Sequence, residues 1–600
     1  MVASTQSDIA LTRLQQTERH IDPEATQREN EKLSIVQGQT NPPLWEVTLS
    51  ELLELQCLQH RDSDCLVVPW TDTRWTYGQL KEESERLARG LIAKGIKHGD
   101  CVAVMAGNCE QYVSLFFATA VVGAIFVVIN NNYTESELLY ALKHTSCKLL
   151  FISPNIGRHS LEDTIHNLEI RDRSQVLPSL ELVIIRGRYC GIQTYDDIIK
   201  EGQGVSKKAA YRYSNTVSPY DVCNLQFTSG STGDPKASML THHNLVNNSR
   251  FIGDRMNLTS SDTLCCPPPL FHCFGLVLGL LACLTHGAKV VYPGETFDPA
   301  AVLKAISQEK CTAVHGVPTM FESILSLPKP EGFDCSHLRT GIIAGAPVPY
   351  TLMQRLVNEL NMTEFTSSYG LTEASPTCFN AFTYDSIDRR LTTVGKVMPH
   401  ASAKIIDPKS GRTVRVGERG ELCISGYQVH YGYWRNPKKT SESLIQDEDG
   451  KLWLRTGDEA SFDLDGYCTI TGRFKDIIIR GGENIYPLEI EERLVAHEAV
   501  ARAAVIGVPD RHYGEVVGAF IEFHDGPAVV KGLPSGEDLR DWTRKTLGRH
   551  KAPKYFFVCG SHSLIPRTLP QTGSGKIQKQ VLRELSYTLL EQAEIQATLQ

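Results

Sequence analysis

The sequence predicts an α/β protein built on parallel sheets, with a separate and smaller α+β domain at its C-terminal end. Three observations carry this. From about residue 60, β-branched runs alternate with helical repeats, a pattern that gives parallel sheets covered by helices on both faces. The 600 residues exceed the ~250–300 at which a single core stops growing. A polar run, Gly472-Arg473-Phe474-Lys475-Asp476, precedes a new strand pattern beginning at Ile477 and marks a boundary.

In chain order, residues 1–40 are polar and aperiodic, a flexible leader without an apolar secretion segment. Residues 65–68 and 74–77 read as a short hairpin. A helix is predicted over 77–94, with Leu80, Leu87 and Leu91 on one face. Residues 101–105 read as a strand and 110–121 as a helix. The run 113–129 is the most apolar in the chain and approaches the length of a membrane span. It divides at Gly123 into a small-residue helix and a β-branched strand, so a buried helix–turn–strand unit is the expectation. A strand is expected at 222–227. A glycine-rich loop follows it, and then a helix starts at His242 with Thr241 as its N-cap. Residues 311–318 and 341–347 read as strands ending in glycine turns. Beyond the boundary, a helix over 488–494 and strands over 500–508 and 518–523 form an α+β domain of about 120 residues.

Composition narrows the function. The hydrophobic fraction of 41% and charged fraction of 22% are those of an ordinary globular protein. A net charge of −8 argues against nucleic acid as a partner. The 17 cysteines are scattered, without paired CxxC spacings, which suits a reducing compartment and neither a disulfide framework nor a zinc site.

The chemistry is concentrated in a few stretches. Thr228-Ser229-Gly230-Ser231-Thr232-Gly233-Asp234-Pro235-Lys236 combines glycines, hydroxyls and a lysine. Glycines let the backbone approach a ligand, and successive N–H groups make an anion site. The hydroxyls donate hydrogen bonds and Lys236 adds a point charge. The spacing differs from a Walker A loop, because two residues separate the glycines and Ala237 follows the lysine. In Ser368-Tyr369-Gly370-Leu371-Thr372-Glu373, the tyrosine can stack on a base, and the glutamate can hold Mg2+ beside phosphate oxygens. Asp458, in Thr456-Gly457-Asp458, can accept both hydroxyls of a ribose. In Pro267-Pro268-Pro269-Leu270-Phe271-His272-Cys273-Phe274 the prolines stiffen the approach of His272 and Phe274 to a pocket wall. Lys576 stands on a glycine-flanked loop, Gly573-Ser574-Gly575-Lys576, that could carry it into another domain's site.

From about residue 45 to 585 these stretches, in order and spacing, resemble the adenylate-forming superfamily of acyl-CoA synthetases, coumarate ligases, luciferases and peptide-synthetase adenylation domains. The resemblance implies an N-terminal AMP-binding domain (41–472), a hinge (473–476) with Lys475 at the pivot, and a mobile C-terminal lid (477–600). It implies that a carboxylate attacks the α-phosphorus of ATP to give acyl-AMP and diphosphate, and that a thiol then displaces AMP. Thr228 to Lys236 would cradle the β- and γ-phosphates, and Thr372 would touch the α-phosphate. Glu373, with Thr228, would hold Mg2+. Tyr369 would lie on adenine, and Asp458 and Arg473 would bind the ribose. Lys576 would stabilise the charge of the first transition state only. Gly481, Gly482 and Glu483 would line the path of the thiol, with Lys551, Ala552, Pro553 and Lys554 near the CoA nucleotide. His272, Phe274, Val317, Gly345, Ala346 and Tyr369 are the candidate acyl-pocket positions. Glu373, Asp458, Arg473 and Lys576 are all present, which argues against a non-catalytic relative.

No carrier-domain serine motif follows residue 585, so free CoA is the expected acceptor. Arg13-Leu14, five residues, then His20-Ile21 resembles the bipartite N-terminal peroxisomal address, with Ile21 in place of leucine. Within the superfamily the chain most resembles the fungal peroxisomal mevalonate–CoA ligases of hydroxamate siderophore assembly. That likeness implies mevalonate as the acid, with a medium-chain fatty acid or an aryl acid as the alternative.

Overall fold

The computed structural model of the protein describes residues 32–169, 177, 179–228, 235–345, 348, 350–524, 533–572 and 576–598. The proposed address at Arg13, Leu14, His20 and Ile21 lies outside them, as do Ser229, Gly230, Ser231, Thr232, Gly233, Asp234 and Ala346. The chain divides into two compact units. One comprises residues 1–404, 423–455 and 465–468, and the other 405–422, 456–464 and 469–600.

The first unit holds the parallel sheets that the alternating pattern predicts. Its seven-stranded sheet runs in the order Gln193–Thr194, Glu181–Ile184, Leu149–Ile152, Cys101–Met105, Ile125–Val128, Val222–Thr228 and Lys236–Thr241. Every neighbouring pair is parallel except the last. Strands covered on both faces read as continuous apolar runs, and Cys101–Met105, Ile125–Val128 and Leu149–Ile152 are buried at every position. Helix Tyr77–Ala93 buries Leu80, Leu87 and Leu91, the stripe seen in the sequence. The apolar run 113–129 divides where expected. Helix Glu110–Val122 ends at Gly123, whose φ of +76° closes it, and strand Ile125–Val128 follows. A side chain at Gly123 would be strained by that φ and would also press on the His98 ring, 2.4 Å from an added Cβ. No helix among the described residues is long and apolar enough to cross a membrane.

One element departs from the sequence reading. Lys236–Thr241, expected as part of the link into the helix, is an antiparallel strand paired with Val222–Thr228, with Thr228 opposite Lys236 and Gln226 opposite Ser238. Thr228 and Lys236, which bound the phosphate-type stretch, therefore face each other across two antiparallel strands. Ala237 and Leu240 are buried, and Ser238 is buried as well because its hydroxyl has a partner. That polar residue on a buried strand hides the pattern. Thr241 then caps helix His242–Arg255, with Asn244 returning the bond.

Two further sheets adjoin. One runs Ala313–Val314, Thr263–Cys265, Lys289–Val291, Asp64–Val68, Thr73–Thr76, the last two forming the predicted hairpin. The other runs Ile342–Ala344, Thr366–Gly370, Thr377–Asn380, Lys396–Val397. Bridges from Ala313 to Thr340 and from Gly316 to Ile343 bring their parallel edges together.

The second unit contains the α+β domain. Strands Val500–Asp510 and Gly514–Phe523 pair antiparallel, and Ile478–Arg480, Glu483–Ile485 and Tyr555–Val558 complete the sheet. On one face helix Pro487–Val495 packs Ile490 and Leu494 among Ile478, Val505 and Ile521. Across the sheet, Ile506, Phe520, Phe557 and Leu582 form a second cluster.

Candidate active site

In the first unit the hairpin and the chain around Glu373 converge. Thr228 ends one hairpin strand and Lys236 begins the other. The Thr228 hydroxyl lies 3.4 Å from Glu373 Oε1, and the Tyr433 hydroxyl donates to the same oxygen at 2.7 Å. The Lys236 ammonium sits 4.6 Å over the Tyr433 ring, within the range of a cation–π contact. The backbone N–H of His430 donates to the Glu373 carbonyl at 2.9 Å. Its Nδ1 is 2.8 Å from the buried Ser238 hydroxyl. Thr372 and Glu373 lie in a short 3-10 turn just past strand Thr366–Gly370, which carries Ser368, Tyr369 and Gly370. The Tyr369 ring tilts against Phe379 at 6.4 Å.

Electrostatics follow burial. Burial pulls the His430 imidazole down to about 4 against the attraction of Glu373, so the ring is neutral near pH 7. Burial and then the Glu373 carboxylate push the Tyr433 phenol up, so it stays a donor. Burial likewise raises the Cys273 thiol, which donates to Gln226 Oε1 at 3.0 Å. Tyr433, His430, Ser238 and Gln226 were not among the residues singled out from the sequence. The aromatic–glycine cluster Tyr431-Gly432-Tyr433-Trp434 was the available signal.

Glu373 with the Thr228 hydroxyl is a hard-oxygen donor pair, which fits Mg2+ completed by phosphate oxygens. Among the described residues no group of three or more His, Cys, Asp or Glu could hold a metal by itself.

The acyl-pocket candidates belong to the same unit. Phe274 opens a buried π-helical segment, Phe274–Leu281, and its N–H bonds His272 Nδ1 at 3.1 Å. The Phe274 ring lies 5.5 Å from that of His315. His315 accepts from the Ile342 N–H at 3.0 Å through Nδ1, so its Nε2 donates to the Leu278 carbonyl at 3.0 Å. One imidazole thus ties the helical segment to two strand ends, and burial holds it down at about 4. Gly345, at φ +90°, faces Val317, where an added Cβ would stand 3.3 Å from the valine methyl. Gly345 thus meets Val317 where the adjoining strands end, and Phe274 packs on His315, two residues before Val317.

The second unit carries the remaining candidates. Gly457, at φ +72°, turns the chain inside strand Leu452–Phe462. Next to it the Arg473 Nε donates to Asp458 Oδ1 at 3.0 Å. The Asp458 side chain is 7% exposed and that of Arg473 60%. The Lys475 carbonyl accepts from Arg583 at 3.2 Å, and Asp476 pairs with the same guanidinium at 2.8 Å. Gly481 and Gly482 both take positive φ and turn strand Ile478–Arg480 into Glu483–Ile485. The Pro553 and Lys554 carbonyls accept from Arg540, and the Lys554 ammonium pairs with Asp510 at 2.7 Å. Ala552 is half-buried beside them. Lys576 is exposed, with its backbone N–H bonded to the Thr572 hydroxyl and its carbonyl to the Thr572 N–H.

Comparison with known proteins places this geometry in a family. The model of the AMP-binding enzyme family matches residues 53–434, and that of the AMP-binding enzyme C-terminal domain matches residues 489–576. The chain is 67% identical to the acyl-CoA ligase SID4 of Ajellomyces capsulatus, over 98% of this chain and all of that one. It is 65% identical to the acyl-CoA ligase sidI of Aspergillus fumigatus, over 97% of this chain and 98% of the relative. Among solved structures it is similar to an anthranilate CoA ligase, AuaEII, in complex with anthranoyl-AMP. That likeness has a TM-score of 0.77 at 26% identity and covers 91% of this chain and 98% of that one. With a hydroxyl, a carboxylate and a lysine set around a phosphate-type loop, and matches spanning both units, the chain belongs to the AMP-binding enzyme family.

Proposed function

We propose that this protein activates mevalonate with ATP and passes it to CoA, making mevalonyl-CoA for hydroxamate siderophore biosynthesis and hence for iron homeostasis. The coarser statement stands without the acid: the chain is an ATP-dependent, AMP-forming acyl-CoA ligase that works through acyl-AMP. The observation that carries the ligase chemistry is the Glu373 carboxylate, held by the Thr228 and Tyr433 hydroxyls, with the Lys236 ammonium over the Tyr433 ring.

In the first half-reaction an oxygen of the substrate carboxylate attacks the α-phosphorus, and diphosphate leaves with the electron pair of the broken P–O bond. Thr228 and Lys236 bind its phosphates, Thr372 orients the α-phosphate, and Glu373 supplies a ligand for Mg2+. Lys576 balances the charge that develops on the transferring oxygens. In the second half-reaction the CoA sulfur attacks the acyl carbonyl and AMP leaves. Asp458 and Arg473 hold the ribose through both.

The likeness to the acyl-CoA ligases SID4 and sidI along nearly the whole chain supports a siderophore-type ligase, and mevalonate as the acid rests on the resemblance read from the sequence. The apolar and small groups of Phe274, Val317 and Gly345 suit the second reading, a medium-chain fatty or aryl acid. AMP release dependent on ATP and CoA, measured with mevalonate, hexanoate, octanoate and coumarate, separates the two. Preference for mevalonate supports the siderophore role, and preference for octanoate or coumarate replaces the acid and leaves the mechanism intact. The location belongs to the same proposal: Arg13-Leu14 and His20-Ile21 address the chain to the peroxisome. A fluorescent fusion with Arg13 and Leu14 replaced is expected in the cytosol, and unchanged import would remove that part.

A further inference from the structure

One short stretch, His430 to Trp434, holds Glu373 at both ends. The His430 N–H takes the Glu373 carbonyl, and the Tyr433 hydroxyl takes its carboxylate. The stretch is itself pinned along the hairpin strand Lys236–Thr241. The Tyr431 N–H bonds the Met239 carbonyl, the Met239 N–H bonds the Gly432 carbonyl, and the Trp434 N–H bonds the Ala237 carbonyl. The Tyr433 N–H is taken by the Thr440 hydroxyl at 2.9 Å. Gly432, at φ +119°, lies so close to Thr440 that an added Cβ would meet its methyl at 2.7 Å. Tyr433 is 6% exposed, and its ring stands at 82° to that of His430, with centroids 4.9 Å apart. Its hydroxyl and its ring face two different charges. The hydroxyl meets Glu373 and the ring meets the Lys236 ammonium.

We infer that Tyr433 is a positioning residue that sets the Glu373 carboxylate and the Lys236 ammonium in one fixed arrangement through two separable contacts. The hydroxyl selects one carboxylate oxygen and leaves the other to face a cation. The ring holds the ammonium over its face. This rests on the ligase reading and adds to it a cause for the order in the phosphate site.

Two variants separate the contacts. Tyr433→Phe removes the hydroxyl and keeps the ring, and Tyr433→Leu removes both. Titration calorimetry with MgATP and with metal-free ATP reads them without turnover, beside ATP–diphosphate exchange and thioester formation from supplied acyl-AMP. Tyr433→Phe is expected to lose about tenfold or more of the preference for MgATP over free ATP, the size of a hydrogen bond to a charged group. Its exchange activity should recover in part at high Mg2+, and its binding of free ATP should be unchanged. Tyr433→Leu should also bind free ATP several-fold more weakly, as a cation–π contact predicts. Thioester formation by Tyr433→Phe should match the unaltered protein, and its thermal midpoint should fall by no more than the few degrees that one lost hydrogen bond costs. A Tyr433→Phe protein with unaltered metal preference overturns the carboxylate half, and equal behaviour of the two variants overturns the lysine half. Equal loss in both half-reactions makes the residue merely structural and overturns both. If the unaltered protein shows no exchange with any acid, the ligase reading itself fails, whereas the calorimetric comparison still decides the role of Tyr433.

Discussion

Glu373 and Lys576 are the two charged groups on which adenylation depends most in the proposed mechanism, and their surroundings are opposite. Glu373 is gripped through its carbonyl, bonded by a buried tyrosine and placed 3.4 Å from a threonine hydroxyl. The nearby His430 is kept neutral by burial. Lys576 is exposed, and its main chain bonds to Thr572. A buried network fixes geometry before substrate binds, which is how electrostatic preorganisation acts. An exposed lysine keeps its hydration and its charge at little cost. In the proposed mechanism Glu373 belongs to a fixed arrangement, and Lys576 is the charge needed in one half-reaction only.

Lys576→Ala should break this contrast most sharply. Removing one group that stabilises a developing oxyanion costs about 10²–10³-fold in rate. We expect that loss in acyl-AMP formation, with thioester formation from supplied acyl-AMP within about twofold of the unaltered protein. Single-turnover measurement of both halves checks it. Equal loss in both would place Lys576 in the permanent machinery and erase the distinction.

The buried character of the first unit is open to a pH test. Burial holds His242, His315 and His430 down at about 4, whereas a histidine in the unfolded chain titrates near ~6.5. Between those values the unfolded chain takes up protons that the folded chain refuses. The stability these groups contribute is therefore complete above about pH 6.5 and is lost as pH falls toward 4. Each histidine adds up to about 1.4 kcal/mol per pH unit to that slope. His315→Gln, which offers a donor and an acceptor in place of the imidazole, should remove one such share. Thermal or urea unfolding between pH 7 and pH 5 measures it. An unchanged slope would mean that His315 is protonated in the folded chain, and its bond from the Ile342 N–H could not then exist.

The contrast also explains what the sequence made legible. The alternating strands, the division of 113–129 at Gly123 and the separate C-terminal α+β unit were readable because periodicity and turn chemistry are local. Glu373, Lys236 and Thr228 stood out in the sequence because glycines, hydroxyls and charges lie close together in their stretches, and the structure brings the three to one place. Tyr433 was not, since it lies 60 residues from Glu373 and reaches it only through pairing with the hairpin. The Lys236–Thr241 strand was hidden for a related reason: Ser238 is polar, and its burial makes sense only once His430 is known to face it. His315, inside a stretch read simply as a strand, is likewise explained by distant carbonyl and amide partners.

Arg473→Lys sharpens the contrast by the smallest expected effect. The Asp458–Arg473 pair joins an almost buried carboxylate to a guanidinium that is 60% exposed. Exposed pairs contribute little to folding, because water competes for the cation and the long side chain loses freedom in making the contact. Lysine keeps the charge but not the planar fork that can span a carboxylate and a ribose hydroxyl together. The substitution should shift folding stability by less than about 1 kcal/mol, while the KM for ATP rises several-fold and the chemical rate at saturation stays near its original value. Denaturant melts beside ATP titrations of acyl-AMP formation decide it. A large loss of stability would mean that Arg473 belongs to the scaffold. An unchanged KM would leave Asp458 to hold the ribose alone, with the arginine serving only to keep that carboxylate oriented.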